Sequence, residues 1–431
     1  MVLARRISAV ALLCGLTACG LPIAGSAPKD DGSGAPRSNF AQDQDAPQSE
    51  VISTLMQRRT LLQPGSVYSD VAATALSASA RSSEAALVAA RLRAEAKSKN
   101  WLPGLTPSVS LNDLGDMVAN LLLEQVLFDN GRRKAERAFA AADVEVAAVS
   151  LSEDMNNRVK TAVSLYVAGL RGDEKAAYSH RAINTMRDFE RVVVGRVNGG
   201  VSDRSDLNVV QSKISGVQSS MADASDAART ARAELEAMTG RQFPAAPQRL
   251  DLNLPPDGSA YLSVLKAKSE AARAVEQATM ERAGMLPGVS ATGQVGTEGS
   301  GAGLLLNLSE PLGLGTPAAL QAVDAAKEAA LRRIGEVEEE ARRDYSREIQ
   351  RLASYRRQEQ EALALSSASR ETYALFKAQF EAGQRPVMDV IPIYEELVKR
   401  EQAYIDAKYE VVLIQLSLAA ALGLLADGDK I

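Results

Sequence analysis

The sequence predicts a mainly α-helical fold with a small β part, in which one structural unit is used twice. From Arg132 to Val197 the chain has no proline and its apolar residues recur at helical spacing, which gives 66 residues, or about 100 Å, of helix. Landmarks of the first half also recur in the second half at a nearly fixed offset. Helices of this length need lateral partners, because ordinary globular domains use much shorter ones.

Five landmarks carry the repeat, with an offset of 184 for the first two and 183 for the other three: Leu102-Pro103-Gly104, Gly131, Gly200, Asp206 and Gly240. A single one-residue deletion reconciles all five, and a constant period indicates one supersecondary unit that occurs more than once. We therefore place the first repeat at 49–250, the second at 251–424 and a C-terminal tail at 425–431.

Each repeat is predicted to contain a helix, two strands, a long helix, a tight turn and a shorter helix. In the first repeat these elements are a helix over 67–101, strands over 107–113 and 118–128, the long helix over 132–197, and a helix that ends near Met238. Pro103 ends the opening helix, since the residue before a proline is disfavoured in the α region. Alternation of apolar and polar residues indicates the strands. Gly199-Gly200 forms the tight turn, and Ser202 or Asp203 is placed to cap the next helix.

The second repeat follows the same order, with a helix over 260–284, strands over 289–296 and 303–310, a long helix to Glu381, and a last helix opened by Pro386. Ser259 is placed to cap the first of these helices, and Pro317 stands where a first-turn proline is favoured. Pro392 should kink the last helix, because it removes a hydrogen bond and clashes with the preceding turn. The long helix carries an apolar seam at spacings of three and four: Ile334, Val337, Ala341, Tyr345, Ile349 and Leu352.

Helix lengths predict how the elements stack. The two shorter helices of the first repeat, about 35 residues each, total roughly 105 Å, which is close to the length of the long helix. Stacked end to end, they lie beside it as one rod, so two repeats give four rods with the strands at one end and the turns at the other. Four strands are too few to close a barrel, so a membrane location requires several chains, and three would supply twelve strands. A soluble helical bundle with two hairpins is the alternative.

The first residues predict an export signal. Arg5 and Arg6 precede an apolar run that is too short to span a membrane, and small residues follow it. The sequence Leu16-Thr17-Ala18-Cys19 resembles a bacterial lipobox, by which cleavage after residue 18 leaves Cys19 carrying lipid. An ordinary signal with an incidental cysteine is the alternative. Residues 19–48 are rich in Gly, Pro, Ser, Asp and Gln, which is typical of a flexible tether.

Composition argues against several classes of function. Cys14 and Cys19 are the only cysteines and His180 the only histidine, so we expect no disulfide, no metal, no cofactor and no enzymatic activity. His180 lies among polar residues of a helical stretch and is best interpreted as part of a solvated face. The 49 basic and 54 acidic residues are well mixed, which argues against binding to nucleic acid. Abundant alanine and only 4% aromatic residues favour close packing between long helices.

Three strings of residues, in this order and at this spacing, resemble a known family: Val126-Leu127-Phe128-Asp129-Asn130-Gly131-Arg132-Arg133 after the first hairpin, Phe380-Glu381-Ala382-Gly383 leading to Asp389-Val390, and Gln415 to Gly423 near the end. The chain resembles the TolC-like outer-membrane efflux proteins over about residues 50–424. The resemblance implies a homotrimer in which long antiparallel helical hairpins form a periplasmic α-barrel and four strands per chain contribute to a twelve-stranded β-barrel in the outer membrane.

The resemblance also implies a function. Such a trimer is a passive exit duct of a tripartite efflux or type I secretion system, lipid-anchored in the outer membrane with a periplasmic extension. A periplasmic adaptor protein and an inner-membrane pump are its expected partners. The alternative is a periplasmic adaptor or structural coiled-coil protein that bridges membranes without a pore. The two hypotheses differ in the strands, since only a duct needs outward apolar faces on all four of them.

The resemblance assigns a gate to the end farthest from the strands. Asp389 and Arg385 match gate residues of the family, and Ser205 and Asp206 match the partners of that arginine on the neighbouring hairpin. Phe380 stands where the family often has a gate tyrosine. The hydroxyl of a tyrosine there donates a hydrogen bond, which a phenylalanine cannot do. Helix capping explains the two aspartates equally well, and a solvated turn explains Arg385.

A second aspartate of the family gate corresponds to Pro392 here, so the expected latch is weaker or differently built. Two tight turns lie at the same end and, by the resemblance, meet the adaptor. Apart from the resemblance, they are ordinary glycine-containing turns. The residues concerned are Gly199, Gly200, Val201, Gly383 and Gln384.

Overall fold

The computed structural model describes residues 49–78, 82–111, 117–246, 250–255, 261–297, 299–308 and 313–429. The signal peptide, the tether and Cys19 therefore lie outside the described residues, as do Ser259, predicted to cap a helix, and the last two residues of the tail.

The described parts contain eight helices and four strands. In chain order they are α1 Glu50–Met56, α2 Val67–Ser77, α3 Ser82–Ser98, β1 Gly104–Leu111, β2 Met117–Phe128, α4 Arg132–Asn198, α5 Arg204–Thr239, α6 Leu262–Gly284, β3 Gly288–Gly296, β4 Gly299–Asn307, α7 Thr316–Glu381 and α8 Val387–Ala421.

Most predicted boundaries hold within a few residues, and the exceptions have physical reasons. The helix predicted over 67–101 is described as α2 and α3, with 79–81 outside the described residues. Strand β4 starts four residues early, at Gly299, because it pairs with β3 along its full length. Asp203 occupies the N-cap of α5 without a side-chain cap bond, and Tyr261 rather than Ser259 occupies the N-cap of α6. Helix α8 continues through Pro392, and the kink stays a prediction.

The helices form the rods that their lengths predict. Helix α4 packs against α3 and α5 of its own repeat, and α7 packs against α6 and α8 of the second repeat. Helix α4 also packs against α6 and α8, so it lies between the two repeats, whereas the main contacts of α7 stay within its own repeat. In keeping with this, 24 residues of α4 are buried but only four of α7. Helix α4 is the central rod and α7 a peripheral one.

Close packing of small residues holds the rods together. A Cβ atom added at Gly172 of α4 would lie 2.6 Å from the carbonyl oxygen of Ala224 and 2.8 Å from the Cβ of Ala228, both on α5. The two helices therefore approach each other more closely here than any side chain at position 172 permits. The abundance of small residues predicted this type of packing.

The strands form one antiparallel sheet in the order β1-β2-β3-β4. Strand β2 of the first repeat pairs with β3 of the second, so the two hairpins are continuous. The register between them shifts once, between Val126 and Phe128, as in a β-bulge. Strands β1 and β4 are the edges of this sheet.

The described part of the tail, residues 425–429, is packed rather than free. The backbone N–H groups of Leu425 and Ala426 donate to Oδ1 of the buried Asn156 on α4, at 2.8 and 3.2 Å. The side chain of Asp427 accepts from the backbone N–H of Thr60 at 2.8 Å. The first two bonds hold the tail against α4, and the third holds it against the segment between α1 and α2. Among the described helices, none carries an apolar stretch long enough to cross a membrane.

The close approach at Gly172 gives a testable prediction. In Gly172→Ala the new methyl group meets backbone and side-chain atoms of α5, and overpacking of this kind costs about 1–3 kcal/mol of unfolding free energy. In the control Gly195→Ala, on the same helix, nothing lies within 4 Å of the new atom. Alanine should there stabilise the helix by about 0.5–1 kcal/mol. Thermal unfolding followed by circular dichroism measures both. Equal shifts in the two variants would contradict the packing described.

Candidate functional site: a two-faced sheet and two matched turns

The register of the sheet separates its side chains into two faces, because successive residues of a strand alternate and paired residues share a face. One of these, which we call the apolar face, carries apolar residues on all four strands: Leu105, Pro107, Val109, Met117, Ala119, Leu121, Leu123, Val289, Ala291, Val295, Ala302, Leu304 and Leu306. Val109, Leu304 and Leu306 are 68%, 72% and 69% exposed. The described residues therefore leave the apolar face uncovered.

The opposite side, which we call the polar face, is mixed. It includes Val118, Leu122, Val126 and Leu305 beside hydroxyl, amide and glycine positions: Thr106, Ser108, Asn120, Ser290, Thr292, Gln294, Gly301, Gly303 and Asn307. Glu124 also lies on this face and is the only charged residue within the four strands as described. The apolar face thus suits apolar surroundings, and the polar face suits water.

The strand-to-helix turn explains the Asp129-Asn130-Gly131 sequence. Asn130 and Gly131 both adopt positive φ, 54° and 86°, a region that Asn and Gly tolerate best. The carboxylate of Asp129 accepts from the backbone N–H groups of Gly131 and Arg133 at 3.1 and 2.9 Å, which satisfies donors at the start of α4. The amide of Asn130 donates to the carbonyl of Pro287 at 2.9 Å and so ties the first repeat to the second.

The basic residues after this turn make specific contacts and are not simply solvated. The Arg133 guanidinium donates to the carbonyl of Asn100, and Arg132 lies 3.6 Å from Glu136. Burial by itself raises the pKa of Glu136, but hydrogen bonds from Lys97 and Asn100 and the charges of Lys97 and Arg132 lower it below the usual value. These groups fasten the start of α4 to the end of α3. A second basic pair, Arg342-Arg343 on α7, is exposed.

At the other end of the rods lie two turns of matching backbone, at 199–203 and 382–386, which we call the turn end. Gly200 and Gly383 both have φ of 71°. The N–H of Val201 donates to the carbonyl of Arg196 at 2.8 Å, and the N–H of Gln384 donates to that of Gln379 at 2.9 Å. Both are the glycine-containing helix ends known as Schellman motifs. The predicted tight turns are confirmed, and Val201 is 67% exposed at the tip of the first.

A hydrogen bond between two side chains crosses each turn at equivalent positions. The arginine that donates it lies at opposite ends of the two turns. In the first turn Nε of Arg196 donates to Oγ of Ser202 at 3.2 Å. In the second turn Nε of Arg385 donates to Oε1 of Gln379 at 2.8 Å. With the offset of 183, Arg196 corresponds to Gln379 and Ser202 to Arg385. The arginine therefore stands before the first turn and after the second.

The structure brings Arg385 and Asp389 together. Their side chains are 3.7 Å apart, and the guanidinium carbon of Arg385 lies 4.0 Å from the ring centre of Phe376 on α7. Arg385 thus links α7 and α8 of its own chain. Ser205 is exposed and Asp206 half-buried in the first turn of α5. Neither is bonded to Arg385 within the described part of this one chain.

Phe380 belongs to a group of aromatic side chains that sequence reasoning missed, and which we call the aromatic cluster: Phe189, Tyr373, Phe380 and Tyr394. Ring centres of Phe189 lie 6.4 Å from Phe380 and 6.0 Å from Tyr394, both edge to face, and Tyr373 lies 4.7 Å from Tyr394. Burial raises the pKa of Tyr373 to about 12. The aromatic cluster joins α4 to the α7–α8 hairpin. Its members are up to 205 positions apart in sequence, and no local pattern marks them.

One ion pair near the turn end joins α5 to α8. The ammonium of Lys213 contacts the carboxylate of Glu395, and Lys399 lies 3.3 Å from the same carboxylate. Burial by itself raises the pKa of Glu395, but the hydrogen bonds and charges of these two lysines lower it below the usual value. This pair, too, was missed by sequence reasoning. His180 is exposed, and the described residues contain no group of three or more His, Cys, Asp or Glu side chains arranged to hold a metal.

Comparisons with known proteins give matches among solved structures. No protein-family model matches the sequence, and no curated protein matches it. A membrane protein from Pseudomonas aeruginosa has a TM-score of 0.72 and 17% identity, with 91% of this chain and 98% of that chain covered. The CmeC outer membrane channel of Campylobacter jejuni has a TM-score of 0.71 and 12% identity, with 91% and 95% covered.

The outer membrane protein VceC from Vibrio cholerae also matches, with a TM-score of 0.67 and 14% identity over 83% of this chain and 96% of that chain. At such low identity the likeness concerns the fold. It extends over nearly the whole of each solved chain, so both repeats and the sheet are included. The predicted TolC-like fold, mainly α with a small β part, is confirmed.

Proposed function

We propose that three copies of this chain form a passive exit duct across the periplasm and the outer membrane, as the channel subunit of a tripartite efflux or type I secretion system. One observation carries the proposal: the exposed apolar face extends over all four strands. A barrel in a membrane needs such a face toward lipid and a more polar face toward its lumen. A periplasmic adaptor or coiled-coil bridge gives no reason for it, so the face favours the duct over that alternative.

The free edges of the sheet support an assembly of several copies. Strands β1 and β4 each leave one row of backbone groups without a partner strand in the described sheet. Such groups are costly in hydrocarbon, which is why strands span membranes only as closed barrels. Pairing β4 of one copy with β1 of the next satisfies both edges, and three copies then supply twelve strands.

The helices support the same assembly. Helix α7 leaves several leucines exposed along one peripheral rod: Leu331, Leu363, Leu365 and Leu375. On the α3 and α5 side the exposed apolar residues are Val88, Leu92 and Val209. The α7 side and the α3 and α5 side of one subunit thus expose different apolar residues. Two such sides fit a head-to-tail interface between copies, which closes into a ring when the rotation between neighbouring copies permits.

The base of the sheet supports a location in the outer membrane. The only tryptophan, Trp101, precedes β1, and Phe128 ends β2; both are exposed. Aromatic side chains of this kind are enriched at the border between hydrocarbon and water. In the proposed location Cys19 carries a lipid anchor and α4 begins at the periplasmic border.

The turn end is the proposed gate and docking region. Arg385, Asp389, Ser205, Asp206 and Phe380 are the proposed gate residues, and the structure supports a role for the first two by placing them side by side. The exposed turns are the proposed contact with a periplasmic adaptor that connects the duct to an inner-membrane pump. The docking residues proposed are Gly199, Gly200, Val201, Gly383 and Gln384.

The two faces of the sheet give a direct test of the duct. The purified protein should be trimeric in detergent and should conduct ions in a planar bilayer. Leu121→Arg places a charge on the apolar face, which costs about 2–4 kcal/mol at the middle of a bilayer, so assembly in the outer membrane should fall sharply. The matched control Asn120→Arg places the same charge on the polar face and should still assemble. A monomeric wild-type protein without conductance, or equal assembly of the two variants, would contradict the duct.

The proposed gate predicts a leak when its residues are removed. Arg385→Ala loses the contacts with Phe376, Gln379 and Asp389, and Asp389→Ala loses one of them, so the turn end should loosen more in the first variant. Uptake of a normally excluded solute, such as a large antibiotic, measures this in cells. His180→Ala, on an exposed face of α4, is the control. Unchanged uptake in both gate variants would remove these residues from the gate.

The Lys213–Glu395 pair predicts a dependence on pH. Because the pKa of Glu395 is lowered in the folded chain, the pair stabilises the fold at neutral pH. This contribution is lost as the pH falls below the usual glutamate value of 4.5 and through the folded pKa. Lys213→Met should therefore reduce the melting temperature at pH 7 and change it less at pH 3. Differential scanning fluorimetry measures this, and an equal reduction at both pH values would show that the charge is not the cause.

A further inference from the structure

We propose that Glu124 sets an ion preference of the strand barrel, so that the lumen favours cationic over anionic permeants. The inference rests on the proposed trimeric duct and adds a specificity-determining residue to it. Threefold symmetry places the three copies of Glu124 at one height in the lumen. A ring of carboxylates in a pore concentrates cations and repels anions.

The register gives Glu124 its orientation. Leu121 and Leu123 lie on the apolar face, so Glu124 lies on the polar face, which the proposed duct turns toward its lumen. Glu124 is the only charge within the described strands. Among the strand residues that the structure describes, Glu124 is therefore the one side chain of each subunit that brings a charge to the proposed lumen.

The neighbours of Glu124 leave its side chain accessible. Across the sheet, Glu124 pairs with Gly104 on β1 and with Thr292 on β3, and Thr292 pairs with Gly303 on β4. The row therefore reads Gly-Glu-Thr-Gly, and no large side chain shares it. The amide of Asn307 reaches the carboxylate of Glu124 at 3.5 Å, which is a long contact. Small neighbours widen the proposed lumen at this row, and Glu124 is partly exposed there.

Basic residues near the start of α4 have contacts of their own. Arg132 and Arg133 line the same cleft as Glu124, but Arg132 lies 3.6 Å from Glu136 and Arg133 donates to the carbonyl of Asn100. The position is four residues from the end of β2 at Phe128, near the end of the barrel that joins the helices. Permeants that leave the helical part therefore meet this ring on entering the strands.

Screening by salt limits the range of the ring and gives the test its sharpest control. The Debye length is about 3 Å at 1 M salt and about 30 Å at 0.01 M, so a carboxylate ring acts across a wide lumen only at low ionic strength. The preference for cations should thus be large at low salt and small at 1 M.

Reversal potentials of the purified trimer in planar bilayers, under a KCl gradient, test the inference. We expect the wild-type protein to prefer K⁺ over Cl⁻. Glu124→Gln should lose roughly half or more of that preference at about 0.01–0.1 M salt and differ little from wild type at 1 M. An unchanged reversal potential in Glu124→Gln, with normal conductance, would overturn the inference and leave the duct intact. A wild-type protein that conducts nothing would instead overturn the duct.

A cysteine variant tests the orientation after assembly, so that a folding defect cannot mimic the result. The sequence has cysteine only at positions 14 and 19. In Glu124→Cys, a negatively charged methanethiosulfonate reagent should restore the cation preference, and a positively charged one should reverse it. Leu123→Cys, one residue away on the apolar face, should not respond, and the wild-type protein treated with both reagents is the background. Equal responses at 123 and 124 would overturn the orientation.

Discussion

The structure depends on one constraint: a four-stranded sheet with two free edges and an exposed apolar face is not stable alone in either water or lipid. In water the apolar side chains are exposed, and in lipid the backbone groups of β1 and β4 lack partners. A closed barrel built from several copies removes both problems. In the proposed duct the long helices serve a second need, since they continue the ring of subunits away from the membrane.

The repeat explains why one chain supplies two similar but unequal rods. Helix α4 has 67 residues and α7 has 66, and their turns share the same backbone bonds. Yet α4 contacts both repeats, while α7 has its main contacts within its own repeat. Equal length is fixed by the distance the rods must span. The proposed ring gives a reason for the unequal burial, because it leaves α7 for the neighbouring subunit to cover.

Local signals in the sequence predicted the helices, strands and turns, since proline, glycine and periodicity act over a few residues. Gly200 and Gly383 mark the tight turns because both require positive φ. The sequence also determines which strand residues share a face, because Leu121 and Glu124 must lie on opposite faces of any strand. Capping was less predictable. Asp203 has the right residue type and position, but no side-chain cap bond forms.

Contacts between distant residues were beyond sequence reasoning. Phe189 and Phe380, or Lys213 and Glu395, are each more than 180 positions apart, and neither pair has a local signature. The basic run at Arg132 shows the same limit. Its charges oppose the helix dipole, and contacts with the carbonyl of Asn100, which no local pattern predicts, and with the carboxylate of Glu136 offset this.

At the turn end, which is the proposed gate, apolar contacts can take the place of polar ones. An exposed ion pair such as Arg385–Asp389 contributes about 0–1 kcal/mol. A pair of aromatic rings adds about 0.5–1.5 kcal/mol beyond the area it buries, and Phe189 makes two such contacts, with Phe380 and Tyr394. Arg385 and Asp389 both belong to the α7–α8 hairpin, so the contacts of Phe189 with Phe380 and Tyr394, and not this ion pair, resist the separation of α4 from the hairpin. Because contacts between aromatic rings are screened by salt far less than ion pairs are, the contact between α4 and the hairpin should depend little on ionic strength.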